Sequence, residues 1–403
     1  VNLIAPGFQH DLEKLNTTTM LTRFFFPYLM LVSLSAYSMG ILNSFGHFLF
    51  PALSPCLLNL SLITSLLIFK ENVKGLILGV WIGGVLQFLI QLPMLYKKGF
   101  RLGWPRKLFH PGAKLILKLM IPRLFNSGIY YLNNFVDTIF GSLSKIVGEG
   151  GVAGLYFSYR LILFPLGIFS TALFQASLPV FSLQVLQPEY QNLKQTLLFS
   201  LRGIFFVILP ISIYFMFFSR EIIGLIFRSG KFDAYAVEIC SEVLFFYSIG
   251  LFAYGANKIL QGCFFSLKDT LTPTKVSFLA LTSNIILNSI LIFPFKIKGV
   301  AFATSISGII SFFCLLFVLD KRLGRLDLRE LRESFLRIFL ASIFSALCVR
   351  YLLRFFTFSY QSFFTRLFGL LILGSLLLFS FLLSCLLFKV KELKEFSLWI
   401  FKR

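Results

Sequence analysis

The sequence predicts an all-α protein that crosses a membrane many times, and three observations predict it. Of its 403 residues 57% are hydrophobic and only 14% charged, against roughly a quarter charged in ordinary soluble domains. Apolar runs of about 20 residues, the length that spans a bilayer as a helix, recur from one end of the chain to the other. One such run, with its basic end, is repeated later in the chain. A soluble globular enzyme is excluded, and so is intrinsic disorder, which requires low hydrophobicity.

Eleven spans are read, at 24–44, 49–69, 75–96, 115–141, 152–182, 198–218, 242–265, 274–294, 299–319, 335–356 and 365–388. An odd number puts the two termini on opposite sides. The fourth and fifth spans are irregular. Pro122 followed by Arg123 predicts a helix break in the fourth, and Arg160, Pro165 and Gly167 interrupt the fifth. Such breaks are tolerated in a membrane only where protein or a water-filled cavity satisfies the backbone.

Lys and Arg total 38 against 17 Asp and Glu, a net charge of +21. On so apolar a chain this excess reads as membrane topology and not as nucleic-acid binding. The richest stretches, KKGFRLGWPRKLFHPGAK (97–114) and DKRLGRLDLRELRESFLR (320–337), lie on the side that holds the C-terminus. They are read as cytoplasmic loops, with the segment at Val1 outside. The six cysteines are scattered through apolar runs and form neither a CxxC pair nor a disulfide framework. VNLIAPGFQHDLEKLNTTT lacks the basic and apolar regions of a signal peptide.

The repeat aligns KGLILGVWIGGVLQFLIQLPMLYK (74–97) without a gap on KGVAFATSISGIISFFCLLFVLDK (298–321). Lys74 matches Lys298, Gly75 Gly299, Ile82 Ile306, Gly84 Gly308, Phe88 Phe312, Leu92 Leu316, Leu95 Leu319 and Lys97 Lys321. Apolar composition accounts for the Leu and Phe matches but not for the glycines and flanking lysines together. A looser echo links Ala36, Tyr37 and Pro51 with Ala253, Tyr254 and Pro273. Both matches join spans six apart, so the repeat is parallel and its unit has six helices, as in some secondary transporters. Spans four to nine then form one complete unit. Spans one to three are expected to be the end of another whose first three helices are missing.

Catalytic constellations are absent from the sequence pattern. His10, His47 and His110 form no HExxH, and no paired Asp lies within a span. Gly148, Gly150, Gly151 and Gly154 match neither a P-loop nor a dinucleotide fingerprint and read as a hinge. The protein is read as a non-enzyme without a cofactor or metal. What remains is charge inside the spans, which costs a few kcal/mol per residue at mid-bilayer and therefore usually faces a cavity. Arg160 lies roughly 13 Å along its helix from the outer end, at 1.5 Å per residue. It is read as lining a cavity, where a guanidinium suits a diphosphate, or as one half of a structural pair. Lys258 either snorkels from the seventh span or faces substrate. Arg123 would line the same cavity from the helix break. Asp137, near the outer end of the fourth span, is either a hydrated helix end or a counter-ion or cation ligand.

APGF (5–8), PYLMLVSLSAYSMGILNSFGHFLFPALSPCLLN (27–59), the run at 133–182, FRSGKF (227–232) and KDTLTPTK (268–275) together resemble the MurJ/MviN lipid II flippases. These belong to the multidrug/oligosaccharidyl-lipid/polysaccharide exporter superfamily. The resemblance runs in order through nearly the whole chain. It implies fourteen helices: two six-helix lobes around a cationic cavity and two more forming a lipid-tail groove, of which the chain would hold the last eleven. The domains expected are 1–110 for the rest of the first lobe, 111–322 for the second, and 323–403 for the groove and tail. The resemblance carries the family's cavity arginine onto Arg160 and a common lysine onto Lys258. Tyr159 departs from the acidic residue often found before that arginine, which removes a local ion pair.

The function this implies is alternating-access transfer of lipid II, an undecaprenyl-diphosphate-linked peptidoglycan precursor, from the inner to the outer leaflet. Membrane lipids and the cell-wall synthesis machinery are the implied partners, and a coupling ion or the membrane potential the implied drive. Two alternatives stay open at this stage: a flippase for another polyprenyl-linked glycan or a multidrug exporter of the same superfamily, and a membrane scaffold that transports nothing.

Overall fold

The computed structural model describes residues 1, 4–70, 73–100, 111–355 and 362–394. Among them every regular element is a helix. The chain divides into two compact units, Val1–Met120 and Ile121–Arg403.

The first unit contains α1 (Leu12–Phe25), α2 (Tyr28–Ser44), α3 (Leu49–Phe69), α4 (Val73–Leu89), α5 (Leu92–Lys97) and the start of α6 (Pro111–Gly141). Asp11 caps α1 by accepting a hydrogen bond from the Lys14 backbone N–H at 3.1 Å, one of the donors a helix start leaves unsatisfied. α3 and α4 form the tightest pair in this unit, because Gly75, Gly79 and Gly83 recur every fourth residue on α4. A Cβ on Gly79 would run into Ser65, and one on Gly83 into Leu58. Lipid is as apolar as a helix surface, so such close backbone approach, not hydrophobic burial, drives helix pairing here. The Ser61 hydroxyl donates across the seam to the Gly79 carbonyl at 2.8 Å.

The second unit holds the remainder of α6, α7 (Ser144–Val147), α8 (Gly151–Pro165), α9 (Thr171–Gln184), α10 (Gln191–Phe217), α11 (Ser219–Phe227), α12 (Ala234–Ile249), α13 (Leu251–Ser266), α14 (Leu271–Phe295), α15 (Ile297–Leu323), α16 (Leu328–Leu352) and α17 (Phe363–Leu387). α10 runs through its core. Leu193, Leu197, Leu201, Ile204, Phe205 and Ile208 are all buried, and their three- and four-residue spacing makes one stripe on the helix. α13 and α16 pack against it. Tyr214 of α10 ties in the last two helices, its hydroxyl lying 2.7 Å from the Ser345 hydroxyl on α16 and donating to the Leu377 carbonyl on α17 at 3.3 Å.

Nine helices are long and apolar enough to cross a membrane among the described residues, or ten when the bent pair α12–α13 counts as one crossing. Large apolar side chains such as Phe278, Phe293 and Phe317 stand exposed on them, as lipid-facing residues do.

The structure departs from the sequence reading at three places and agrees with it at a fourth. α6 is helical without interruption through Pro122 and Arg123, where a break was expected; in a membrane helix neighbouring groups make up for the one N–H that proline lacks. The fifth span does break. Pro165 is followed by a π-helical turn, Leu166–Ser170, before α9 resumes. The seventh span starts earlier than read and bends by 44° between α12 and α13. At the bend, Gly250 lies so close to α15 that a Cβ would sit 2.7 Å from the Ser305 Cα. The carbonyls freed there are satisfied from neighbouring helices. The Ser305 hydroxyl donates to Phe246 at 2.6 Å and to Tyr247 at 3.2 Å, and Ser212 donates to Ser248. Finally, much of the basic stretch 320–337 is helix and not loop, since only residues 324–327 separate α15 from α16.

The internal repeat has a counterpart in packing. α14 and α15 make the tightest pair of the second unit, as α3 and α4 do in the first. The repeated glycines do similar work in each: Gly84 lies under the Tyr28 ring and Gly308 under the Tyr254 ring, with no room for a Cβ in either.

Candidate functional site

Arg160 stands on the exposed face of α8, together with Ala153, Tyr156 and Phe164. Its Nη2 donates to the Tyr156 hydroxyl one turn earlier at 2.9 Å, and its guanidinium carbon lies 5.0 Å from the centre of the same ring. No carboxylate pairs with it among the described residues. Tyr159, the residue that replaces an acid before this arginine, packs its ring against Tyr247 with centroids 5.6 Å apart. The guanidinium is thus held in place by an aromatic group that leaves its charge intact and most of its donors free.

Lys258 on α13 is half-buried, with its ammonium turned toward α9. Its Nζ donates to Thr171 Oγ1 at 2.8 Å. Thr171 is the first residue after the π turn, and its hydroxyl passes the bond on to the Leu166 carbonyl at 3.2 Å, five residues back, where the widened turn leaves that carbonyl accessible. Close packing makes this contact geometrically possible. A Cβ on Gly255 would meet the Ser170 hydroxyl at 3.1 Å, and one on Gly262 would meet the Phe174 ring at 3.0 Å. The Lys258 ammonium therefore sits against an irregular stretch of backbone, in an arrangement typical of functional sites on membrane helices.

Asp137 is not a hydrated helix end. It is 4% exposed and sits in a polar cluster built by α6, α14 and α15. Oδ1 accepts from Asn288 Nδ2 at 2.9 Å, and Oδ2 accepts from the Thr304 hydroxyl at 2.8 Å. Asn284 donates to Thr304 Oγ1 at 3.0 Å and accepts from Asn288 at the same distance. The Val300 carbonyl lies 3.0 Å from Thr304 Oγ1, and Asn288 Oδ1 is buried without a partner. Oxygen ligands of this kind suit a hard cation. No group of three or more His, Cys, Asp or Glu gathers as a metal site among the described residues.

The Arg123 side chain lies outside the described residues. Among Arg160, Lys258 and Asp137, no hydrogen bond or ion pair joins any two; each is held by its own local partners. Sequence reasoning missed those partners: Tyr156, Thr171, Asn284, Asn288 and Thr304. Two of them carried a signal, since Asn284 and Asn288 are the only two asparagines in their span and lie four residues apart, and that spacing puts both on one helix face.

The first unit has a buried polar centre of its own. The Gln91 amide, at the break between α4 and α5, lies within 2.8 Å of Ser35 Oγ, 3.2 Å of Ser54 Oγ and 3.0 Å of the Gln87 carbonyl. It contains no ionisable group.

Comparison with known proteins matches this architecture throughout. The family model described as lipid II flippase MurJ matches residues 1–369. A probable lipid II flippase MurJ of Buchnera aphidicola subsp. Acyrthosiphon pisum is 34% identical over 82% of this chain and 64% of its own length. One from Vibrio cholerae is 32% identical over 74% of this chain and 57% of its own. The chain thus spans less than two thirds of the length of these curated relatives. A solved structure of lipid II flippase MurJ in an inward closed conformation superposes with a TM-score of 0.79 and 26% identity, covering 96% of this chain and 77% of that one. With a family model covering nine tenths of the sequence, and charged residues set into a helical membrane scaffold of the matching shape, this chain belongs to the lipid II flippase MurJ family.

Proposed function

We propose that the protein moves an undecaprenyl-diphosphate-linked peptidoglycan precursor from the inner to the outer leaflet of the cytoplasmic membrane by alternating access. The observation that carries this reading is Arg160, a guanidinium within a membrane helix that is exposed, held only by Tyr156, and free of any carboxylate among the described residues. A diphosphate would complete its hydrogen bonding through two parallel contacts. Lys258, poised on the π turn, and Arg123 would add to the cationic surface that meets the headgroup. Asp137, with Asn284, Asn288, Thr304 and the Val300 carbonyl, would bind the coupling cation. α16 and α17 would guide the prenyl tail. The basic stretches at 97–114 and 320–337 support a cytoplasmic C-terminus by the positive-inside rule, and cell-wall synthesis enzymes would be the functional partners.

The test is lipid II exposure at the outer leaflet of cells that depend on the complete gene. Arg160→Ala is expected to abolish it while expression and membrane insertion stay normal, and Arg160→Lys to restore it in part. Normal exposure with Arg160→Ala would remove this residue from the mechanism. Transfer of a different polyprenyl-linked glycan in place of lipid II would keep the mechanism and change the substrate.

A further inference from the structure

A crevice of about 550 Å³ opens between α15 and α16. Its back wall is a cluster of four phenylalanines from four helices. Phe205 of α10 lies with its ring centroid 5.3 Å from Phe335 of α16 and 6.1 Å from Phe312 of α15, and Phe252 of α13 lies 5.5 Å from Phe335. Leu316, Leu328 and Leu331 close the sides, and Phe313 stands exposed at the opening. The volume is that of a small-molecule site, roughly 300–1,000 Å³. Apart from two arginines, its lining side chains are all apolar and offer nothing to hold water, which needs two or more partners.

Only two lining residues are polar, and both are arginines, Arg329 and Arg332, in the first two turns of α16. Both lie on the α16 stretch between Leu328 and Phe335, which is about 10 Å long at 1.5 Å per residue. Arg329 shares its charge with Glu333 at 3.2 Å. Arg332 is exposed and has no acidic partner among the described residues. The crevice therefore has an apolar body and a rim carrying one uncompensated positive charge.

We propose that this crevice binds an anionic phospholipid of the surrounding leaflet, with one acyl chain against the phenylalanine wall and the phosphate on Arg332, assisted by Arg329. One free guanidinium matches the single negative charge of a phosphodiester better than it matches a diphosphate. The site is separate from the prenyl-tail path proposed on α16 and α17, because no residue of α17 lines it. Bound there, the lipid would wedge α15 against α16 and make their packing sensitive to the charge of the membrane.

The experiment measures lipid retained by the full chain in mild detergent after incubation with phosphatidylglycerol or phosphatidylcholine of identical acyl chains. Native mass spectrometry reads the bound lipid. The intact chain is expected to prefer phosphatidylglycerol. Arg332→Ala should reduce that preference about fivefold, the equivalent of one membrane-facing basic residue, and Arg332→Lys should keep it. Arg332 is exposed, so neither change threatens folding. Phe313→Trp in vesicles locates the chain: phosphatidylglycerol with a bromine-labelled acyl chain should quench its fluorescence more than the phosphatidylcholine analogue does. Equal retention of the two lipids, an unchanged preference in Arg332→Ala, or equal quenching would each overturn the proposal. So would displacement of phosphatidylglycerol by equimolar farnesyl diphosphate, which would make the crevice a prenyl-diphosphate site. None of these readings depends on flipping activity, so the proposal stands or falls apart from the transport function.

Discussion

Thr171 accepts a hydrogen bond from the Lys258 ammonium at 2.8 Å, directly after the π turn that follows Pro165. A charged side chain on one helix is thereby tied to a backbone irregularity on another. Thr171→Val keeps the shape and removes the acceptor. A double-mutant cycle of Thr171→Val with Lys258→Met, read by denaturation in detergent, is expected to give a coupling energy of about 1 kcal/mol, typical of side-chain hydrogen bonds between membrane helices. Simple additivity of the two changes would show that the contact contributes nothing.

Asp137 is the acceptor for two buried donors. Asp137→Ala leaves Asn288 and Thr304 without it and is expected to cost about 1–3 kcal/mol of stability. Asp137→Asn keeps the volume and should cost less, while abolishing any dependence of lipid II transfer on the coupling cation. Titrating transfer against monovalent cations in reconstituted vesicles separates the two effects.

Asp269 supplies a pH dependence outside the spans. Burial pushes its carboxyl up, but the Thr272 backbone N–H and hydroxyl and the Arg322 guanidinium outweigh this and hold it below the usual carboxylate range. Thr272 N donates to Oδ1 at 3.0 Å and its hydroxyl to Oδ2 at 2.7 Å. A carboxyl lowered in the folded state stabilises fully above its unfolded value, about 3.9, and this contribution is lost as pH falls through the lower folded value. Melting temperatures of the intact chain and Asp269→Asn should therefore differ at pH 6, and the gap should narrow as pH falls below about 3.9. A constant gap across that range would contradict the assignment.

Gly250 has α15 backbone where a side chain would go, so the neighbour cannot yield by a rotamer change. Gly250→Ala is expected to destabilise the protein by about 1–3 kcal/mol, lowering its melting temperature. Gly40→Ala, at a glycine with open space around it, serves as the control and should have little effect.

The membrane class, most of the span positions and the repeat were legible in the sequence because they depend on hydropathy and on identity at glycines, both local properties. The two unusual bends were not equally legible. Pro165 with Gly167 marked the π turn, whereas the bend at Gly250 is made by Ser305 and Ser212 reaching in from distant parts of the chain, and nothing near Gly250 signals them. The same distinction holds at the candidate site. Arg160 and Lys258 are conspicuous as charges in apolar runs. Their partners Tyr156 and Thr171 are ordinary in composition and become meaningful only through placement. The hydrated-end reading of Asp137 failed because its burial depends on three residues contributed by α14 and α15.

The two buried polar centres differ in a way that the repeat conceals. The Gln91 centre is built of amides, hydroxyls and a backbone carbonyl, whereas the Asp137 centre contains a carboxyl. Under the proposed transport cycle, a cation or proton arriving at Asp137 would change the charge at the core of the second unit, whereas the Gln91 centre of the first could register it only through packing.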